Sequence, residues 1–200
     1  MSPEARSRPL LDPAIVASFR RRRITDALAE LCVEEGFRAS TVDRISRRAG
    51  VSRGTIYEHF DNREHVFLTL VDSSIAELLG RTETACEEAR AAGEPGLEAG
   101  LAAVLAWVAE QPAHAWALFV DAFGATPESM RRYLAAVAEF TGLLSGAVPN
   151  QVSRSEVVEE SLVGGIASLI SGTIRAGEAD RAPELLPEMA VFLRAPFLEV

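Results

Sequence analysis

The sequence predicts an all-α fold of about nine helices, divided into an N-terminal three-helix unit and a larger C-terminal helical bundle. Three observations carry this. Apolar residues recur at three- and four-residue spacing along most of the chain. Capping residues and Gly or Pro punctuation fall at the ends of those runs. No segment alternates with period two for long enough to make a strand.

Residues 1–14 hold three Pro and scattered charge without periodicity, so they read as a flexible arm. The first helix is expected near 16–35, beginning at Arg20-Arg21-Arg22-Arg23 and turning Phe19, Ile24, Ala27, Leu28, Leu31 and Cys32 inward. Gly36 followed by Phe37 reads as its left-handed cap. Ser40-Thr41-Val42-Asp43 has a capping-box-like pattern, with Ser40 as the cap of a short helix that buries Val42, Ile45 and Ala49 and ends at Gly50. Ser52 opens a third helix with Ile56 and Phe60 facing inward, and Asn62 caps a long fourth helix starting at Arg63-Glu64. Further helices are expected near 63–91, 96–110, 113–123, 127–146, 154–175 and 184–195. Punctuation such as Gln111-Pro112, Thr126-Pro127 and Val148-Pro149-Asn150 separates them. The domains are therefore an arm over 1–14, a three-helix unit over 15–62 and a bundle over 63–200.

At 200 residues and 48% hydrophobic, the chain can bury a substantial core. Its formal charge is −9, and every cation is Arg because the sequence contains no Lys. A uniformly acidic protein is a poor polyanion binder, but the distribution is uneven. Residues 1–65 carry twelve Arg against ten acids, whereas residues 66–200 carry eight against nineteen. Any polyanion is expected at the N-terminal third. Cys32 and Cys86 are too few for a disulfide framework and fit a reducing cytoplasm. The start lacks the apolar core of a signal peptide, and no run approaches the roughly 18 uninterrupted apolar residues that span a bilayer.

Residues 41–60 place a short helix, a Gly-containing turn and a second short helix in succession, the pattern of a helix-turn-helix. Ile45, Ala49, Val51 and Ile56 lock the angle, and small Ser46 permits close approach. The second helix then offers Arg53, Gly54, Thr55, Tyr57, Glu58 and His59 outward, side chains suited to phosphates and base edges in a major groove.

From about Ile24 to Leu70 the chain resembles the DNA-binding domain of the TetR family of transcriptional regulators. The resemblance lies in Glu34-Glu35-Gly36-Phe37, Ser40-Thr41-Val42, the run Ala49 to Tyr57, His59-Phe60 and Arg63-Glu64. It implies that Thr41, Ser52, Tyr57 and His59 touch phosphates and that Arg53, Gly54 and Thr55 lie closest to the bases. Arg63 stands where Lys is usual, which keeps the charge for a phosphate contact. Asp61 is a less favourable neighbour for a phosphate than the uncharged residue common there. A phosphate contact from Arg21 or Arg22 is a further expectation, weighed against a merely solvated helix start.

Elsewhere the signals are plainer. His59, His65 and His114 have no spacing that converges on a metal, so neither a metal nor a cofactor is expected. Glu87-Glu88 and Glu159-Glu160 point about 100° apart on a helix and read as wet faces rather than acid–base pairs. No phosphate loop, nucleophile elbow or zinc signature is present, and an enzyme is not expected. Cys86 has no visible activating neighbour for a thiol sensor.

Trp107, Trp116, Phe119, Phe123, Tyr133 and Phe140 cluster in the C-terminal bundle, where core packing is the first reading. A small-molecule cavity also needs apolar walls and a few polar groups, and Trp107, His114, Trp116 and Tyr133 are its candidate ligands' contacts. Leu162, Ile166, Leu169, Ile170 and Thr173, with a strip formed by Gly165, Ser168 and Gly172, face either Leu186, Met189, Leu193 and Phe197 of the same chain or a second copy. The resemblance favours a homodimer through the helices near 154–175 and 184–195.

The expected partners are thus a palindromic double-stranded operator, a second subunit and a small apolar or amphipathic effector, without a membrane. Two recognition helices would meet half-sites about 34–36 Å apart or at a related spacing. Effector binding would release a repressed operator. The competing expectation is a helical protein–protein interaction module that has lost DNA binding.

Overall fold

The computed structural model describes residues 12–147 and 156–194, and no strand occurs among them. Most of the expected arm, the turn at 148–150, the start of the helix placed near 154 and Phe197 lie outside the described residues.

Helix α1 (Pro13–Ala39) starts from Asp12, whose carboxylate accepts from the Ala14 amide over 2.9 Å. Its early turns are largely exposed, and Phe19, expected inward, is 65% exposed. The helix bends at Gly36, where φ is 76° and ψ 158°, and resumes briefly to Ala39. A side chain at that φ would be strained, which is why the bend falls on a glycine.

The expected cap at Ser40 shifts by one residue. Ser40 is fully buried and closes α1 instead: its amide donates to the Phe37 carbonyl and its hydroxyl to the Gly36 carbonyl freed by the bend. Thr41, in extended geometry, caps α2 (Val42–Ala49) by accepting from the Arg44 amide. Gly50, left-handed at φ 63°, ends α2. Ser52 caps α3 (Arg53–His59) and Asn62 caps α4 (Arg63–Ala92), each through its side-chain oxygen.

These local caps and stops bring Ile24, Leu28, Ile45, Ile56 and Phe60 into one core, and Val66, Phe67 and Leu70 of α4 extend it. Each such side chain contributes about 1.5–3 kcal/mol on burial. The apolar cluster runs without a break into the C-terminal bundle.

Helix α5 (Gly96–Glu110) packs tightly on α4 at Gly100, where an added Cβ would stand 2.6 Å from the Cys86 sulfur. The single helix expected over 113–123 is three pieces: α6 (Pro112–Trp116), a π-helical turn (Ala117–Asp121) and α7 (Ala122–Ala125). The π turn and α6 pack against α1. Thr126 and Ser129 cap each other reciprocally at the start of α8 (Pro127–Ala147).

Helix α9 (Glu156–Arg175) is long and apolar enough to cross a membrane by length and composition, although no run in it is uninterrupted. A third of its apolar window is buried inside the chain. The helix expected over 184–195 opens as a 3-10 segment (Ala179–Leu185) containing Pro183 and continues as α10 (Leu186–Arg194). Gly165 belongs to the packing within the chain, since its Cβ would meet the Phe192 ring at 3.1 Å. Leu162, Ile170, Met189 and Leu193 are buried, while Val157, Leu169, Val191 and, in part, Phe192 are exposed.

Candidate nucleic-acid interface and effector cavity

Helix α3 is held from behind and open in front. Ile56 is fully buried and Phe60 nearly so, whereas Arg53, Gly54 and Tyr57 are exposed and Thr55 is half-buried. The Ser52 hydroxyl accepts from the Thr55 amide at 3.0 Å and lies 2.9 Å from the Thr55 hydroxyl, so both are oriented before any ligand arrives. Arg53 pairs with Asp43 of α2 at 3.0 Å. That pair is exposed enough to exchange its partner at little cost. Thr41 is exposed at the head of α2, next to α3.

His59 and Arg63 are placed differently from the rest. His59 is half-buried, with Nε2 enclosed and without a partner, and its carbonyl accepts from Arg21 at 2.8 Å. The Arg63 guanidinium donates to the Ser40 and Arg38 carbonyls and lies 4.5 Å from the centre of the Phe37 ring. It thereby ties the start of α4 to the end of α1.

The four-arginine run divides by helical phase. Arg21 donates to the last carbonyl of α3 and packs over the Phe60 ring, and Arg23 donates to the Ala49 carbonyl at the end of α2 over 2.6 Å. Cations on exposed carbonyls at helix C-termini are favourable both as hydrogen bonds and against the helix dipole. Arg22 points outward, 75% exposed, with only a 3.8 Å approach to Asp26. Sequence reasoning missed the roles of Arg21 and Arg23. The signal was present, since Arg21 sits three residues before Ile24 and Arg23 four before Ala27, on the buried face. Arg44 and Arg48 are also tied down, to Glu35 and to the Glu30–Glu34 pair of α1.

The bundle contains a narrow apolar cavity, partly open to solvent. Leu78, Thr82 and Cys86 of α4, Val104 of α5, Leu118 and Phe119 of the π turn, Tyr133 and Phe140 of α8, and Ile166 and Ile170 of α9 form its walls. None of the described residues that line it is charged. Thr82 gives its hydroxyl to the Leu78 carbonyl and Cys86 its thiol to the Gly96 carbonyl. The Tyr133 hydroxyl is the polar side-chain group left uncommitted among the described lining residues. Burial pushes its pKa upward, so it stays a neutral donor. The edge of Tyr133 is set against Phe123, with ring centres 6.0 Å apart.

Of the four residues expected to meet a small molecule, only Tyr133 lines this cavity. Trp107 is fully buried elsewhere in the core, and Trp116 is half-buried against it. His114 instead approaches Asp26 of α1, Nε2 to Oδ1 at 3.2 Å. Aromatic composition marked the right region, but helical phase decided which rings face the space. Burial raises the pKa of both Cys32 and Cys86, with Asp121 adding to the effect at Cys32, so both thiols remain protonated. No group of three or more His, Cys, Asp or Glu able to hold a metal occurs among the described residues.

Comparisons with known proteins agree with this layout. Residues 24–70 match the family model described as bacterial regulatory proteins, tetR family. The fatty acid metabolism regulator protein of Bacillus subtilis (strain 168) is 35% identical over 72 residues, which is 36% of this chain and 37% of that protein. The matched segment therefore spans little more than a third of that relative. The fold extends further: the fatty acid degradation regulator FadR from Bacillus halodurans superposes with a TM-score of 0.71 at 17% identity, covering 87% of this chain and 94% of the other. FadR from Bacillus subtilis, solved in complex with stearoyl-CoA, gives 0.71 at 19% identity, covering 86% and 96%.

Proposed function

The chain belongs, through residues 24–70, to the tetR family of bacterial regulatory proteins, and we propose that it is a sequence-specific DNA-binding repressor released from a palindromic operator by an apolar effector. The observation that carries the DNA half is α3, exposed at Arg53, Gly54 and Tyr57 and buttressed behind by Ile56, Phe60 and Arg21. Arg53, Gly54 and Thr55 approach base edges, Thr41, Ser52 and Tyr57 reach the flanking phosphates, and His59 does so by turning its enclosed ring outward. Arg63 contacts the backbone by exchanging one of its carbonyl partners for a phosphate oxygen.

The active unit is a homodimer. Val157 and Leu169 of α9 and Val191 and Phe192 of α10 are exposed apolar side chains, and a second copy covers them. Two-fold symmetry then sets the two α3 helices on successive major grooves.

The effector is a molecule with a long hydrocarbon body. An uncharged cavity strongly disfavours buried charge, so any carboxylate or larger head group stays at the mouth. Tyr133 offers a single hydrogen bond. The complex of Bacillus subtilis FadR with stearoyl-CoA supports an acyl chain as the first ligand to try. Helix α4 connects cavity to reading head, since Leu78, Thr82 and Cys86 line the one and Arg63 begins beside the other. Occupancy favours a conformation with displaced α3 helices and weakens DNA binding by its differential affinity.

Selection of genomic fragments by the purified protein, followed by titration of the enriched duplex with stearic acid, stearoyl-CoA or octadecanol, tests this reading. One palindromic sequence, released by an acyl-chain compound, is the expected result. No enrichment would sink the operator half, and an operator indifferent to all three compounds would sink the acyl-chain half.

A further inference from the structure

We propose that Asp121 is the positioning residue through which occupancy of the cavity reaches the DNA-binding helices. The inference rests on the effector reading above and specifies its route. The π turn is where the cavity wall meets the N-terminal unit. Leu118 and Phe119 line the space, and two residues further on the Asp121 carboxylate accepts the Phe37 amide of α1 at 2.9 Å. The charge of the same carboxylate also adds to the upward shift of the Cys32 pKa. The other carboxylate oxygen lies 3.9 Å from where a Cβ on Gly36 would be. Asp121 therefore grips α1 at its bend, the one place where that helix is already interrupted.

What it grips is also the junction of the reading head. The Phe37 ring stacks on Phe67 of α4, with centres 4.2 Å apart, and lies under the Arg63 guanidinium. Arg63 in turn holds the Ser40 and Arg38 carbonyls, immediately before α2. Arg38 adds a second tie to this region by donating to the Gly124 carbonyl of α7 at 3.0 Å. A displacement of Asp121 thus moves the end of α1 and the first turn of α4 together.

The π turn supplies the means of displacement. It holds one residue more than an α-helical turn, and relaxing it to α geometry rotates its two flanks against each other by about 100°. A hydrocarbon chain pressing on Leu118 and Phe119 acts on that turn directly. Burial raises the Asp121 pKa, which marks a dehydrated acceptor whose bond to Phe37 depends closely on position.

The test uses the full chain, the enriched duplex and stearoyl-CoA. In the wild type, saturating stearoyl-CoA lowers duplex affinity by about tenfold, within the usual range of coupling. Asp121→Ala still takes up the probe, because residue 121 does not line the cavity, but its duplex affinity changes less than about twofold on loading. Asp121→Asn keeps a carbonyl acceptor and restores the response. In the wild type, amide exchange in the peptide spanning Gly36 to Ser40 accelerates on loading. An Asp121→Ala protein with full coupling overturns the inference, and so does unchanged exchange in the wild type, however the alanine variant folds. A wild type that binds the probe poorly, or whose duplex affinity ignores it, instead refutes the effector reading, and the inference falls with it.

Discussion

Arg21 donates to the His59 carbonyl over 2.8 Å and rests its guanidinium 4.5 Å from the centre of the Phe60 ring. An arginine in a basic run at the start of a DNA-binding unit invites a phosphate assignment, yet this one fixes the recognition helix from inside. Arg21→Ala is expected to cost about 1–2 kcal/mol of stability and to weaken operator binding without changing its salt dependence. Arg22→Ala is expected to do the reverse, leaving stability alone and lowering the salt slope by about one. Urea melts and binding isotherms at several salt concentrations separate the two.

On the outer face of α3, Tyr57 is half-exposed, and the Thr55 hydroxyl is pre-oriented by Ser52. Tyr57→Ala should weaken all operator variants alike. Thr55→Val should change the ranking among them by about 1–3 kcal/mol at a single base pair. Competition binding against a panel of single-substitution duplexes reads both outcomes, and a Thr55→Val protein with an unaltered ranking would contradict the assignment.

Sequence made much of this site legible because the helix-turn-helix is written in local chemistry. Gly50, Ser52 and Asn62 each act within a few residues of themselves, and each terminates or caps the helix it was expected to, whereas Gly36 takes a positive φ but bends α1 rather than ending it. Ser40 and Thr41 exchanged roles because the buried carbonyl of Gly36 claimed the first hydroxyl, a tertiary matter. The π turn, the carbonyl partners of Arg63 and the phase of Trp107 and Trp116 depend on what packs alongside. No spacing in the sequence encodes those neighbours.

The contact of Gly100 with Cys86 makes a sharp packing prediction. Gly100→Ala places a Cβ 2.6 Å from the sulfur, too close without movement. The variant should lose about 1–3 kcal/mol of stability and bind apolar ligands less well. Adding Cys86→Ala removes the obstructing atom and should recover most of that loss. A double-mutant cycle from denaturant melts measures the coupling, and simple additivity of the two substitutions would count against the packing.

Asp121 predicts a pH dependence with a definite sign. Its pKa in the folded chain is raised, first by burial, against opposing contributions from the Phe37 amide, Cys32 and Arg175. A raised carboxylate pKa means that folding favours the protonated form, so the associated stability is present below the unfolded value of about 3.9 and is lost as pH rises through the folded one. Asp121→Asn cannot ionise and should gain stability relative to the wild type as pH rises from about 4 to 7. Parallel melting curves that keep a constant separation across this range would contradict the burial of this charge.

The central claim, that this chain reads a DNA sequence through α3, is tested most directly by fluorescence anisotropy of the enriched duplex against the same duplex with both half-sites scrambled. Measured with the purified protein at about 150 mM salt, the account predicts a preference of at least about 1,000-fold for the intact site. Equal affinity for the two duplexes would contradict it.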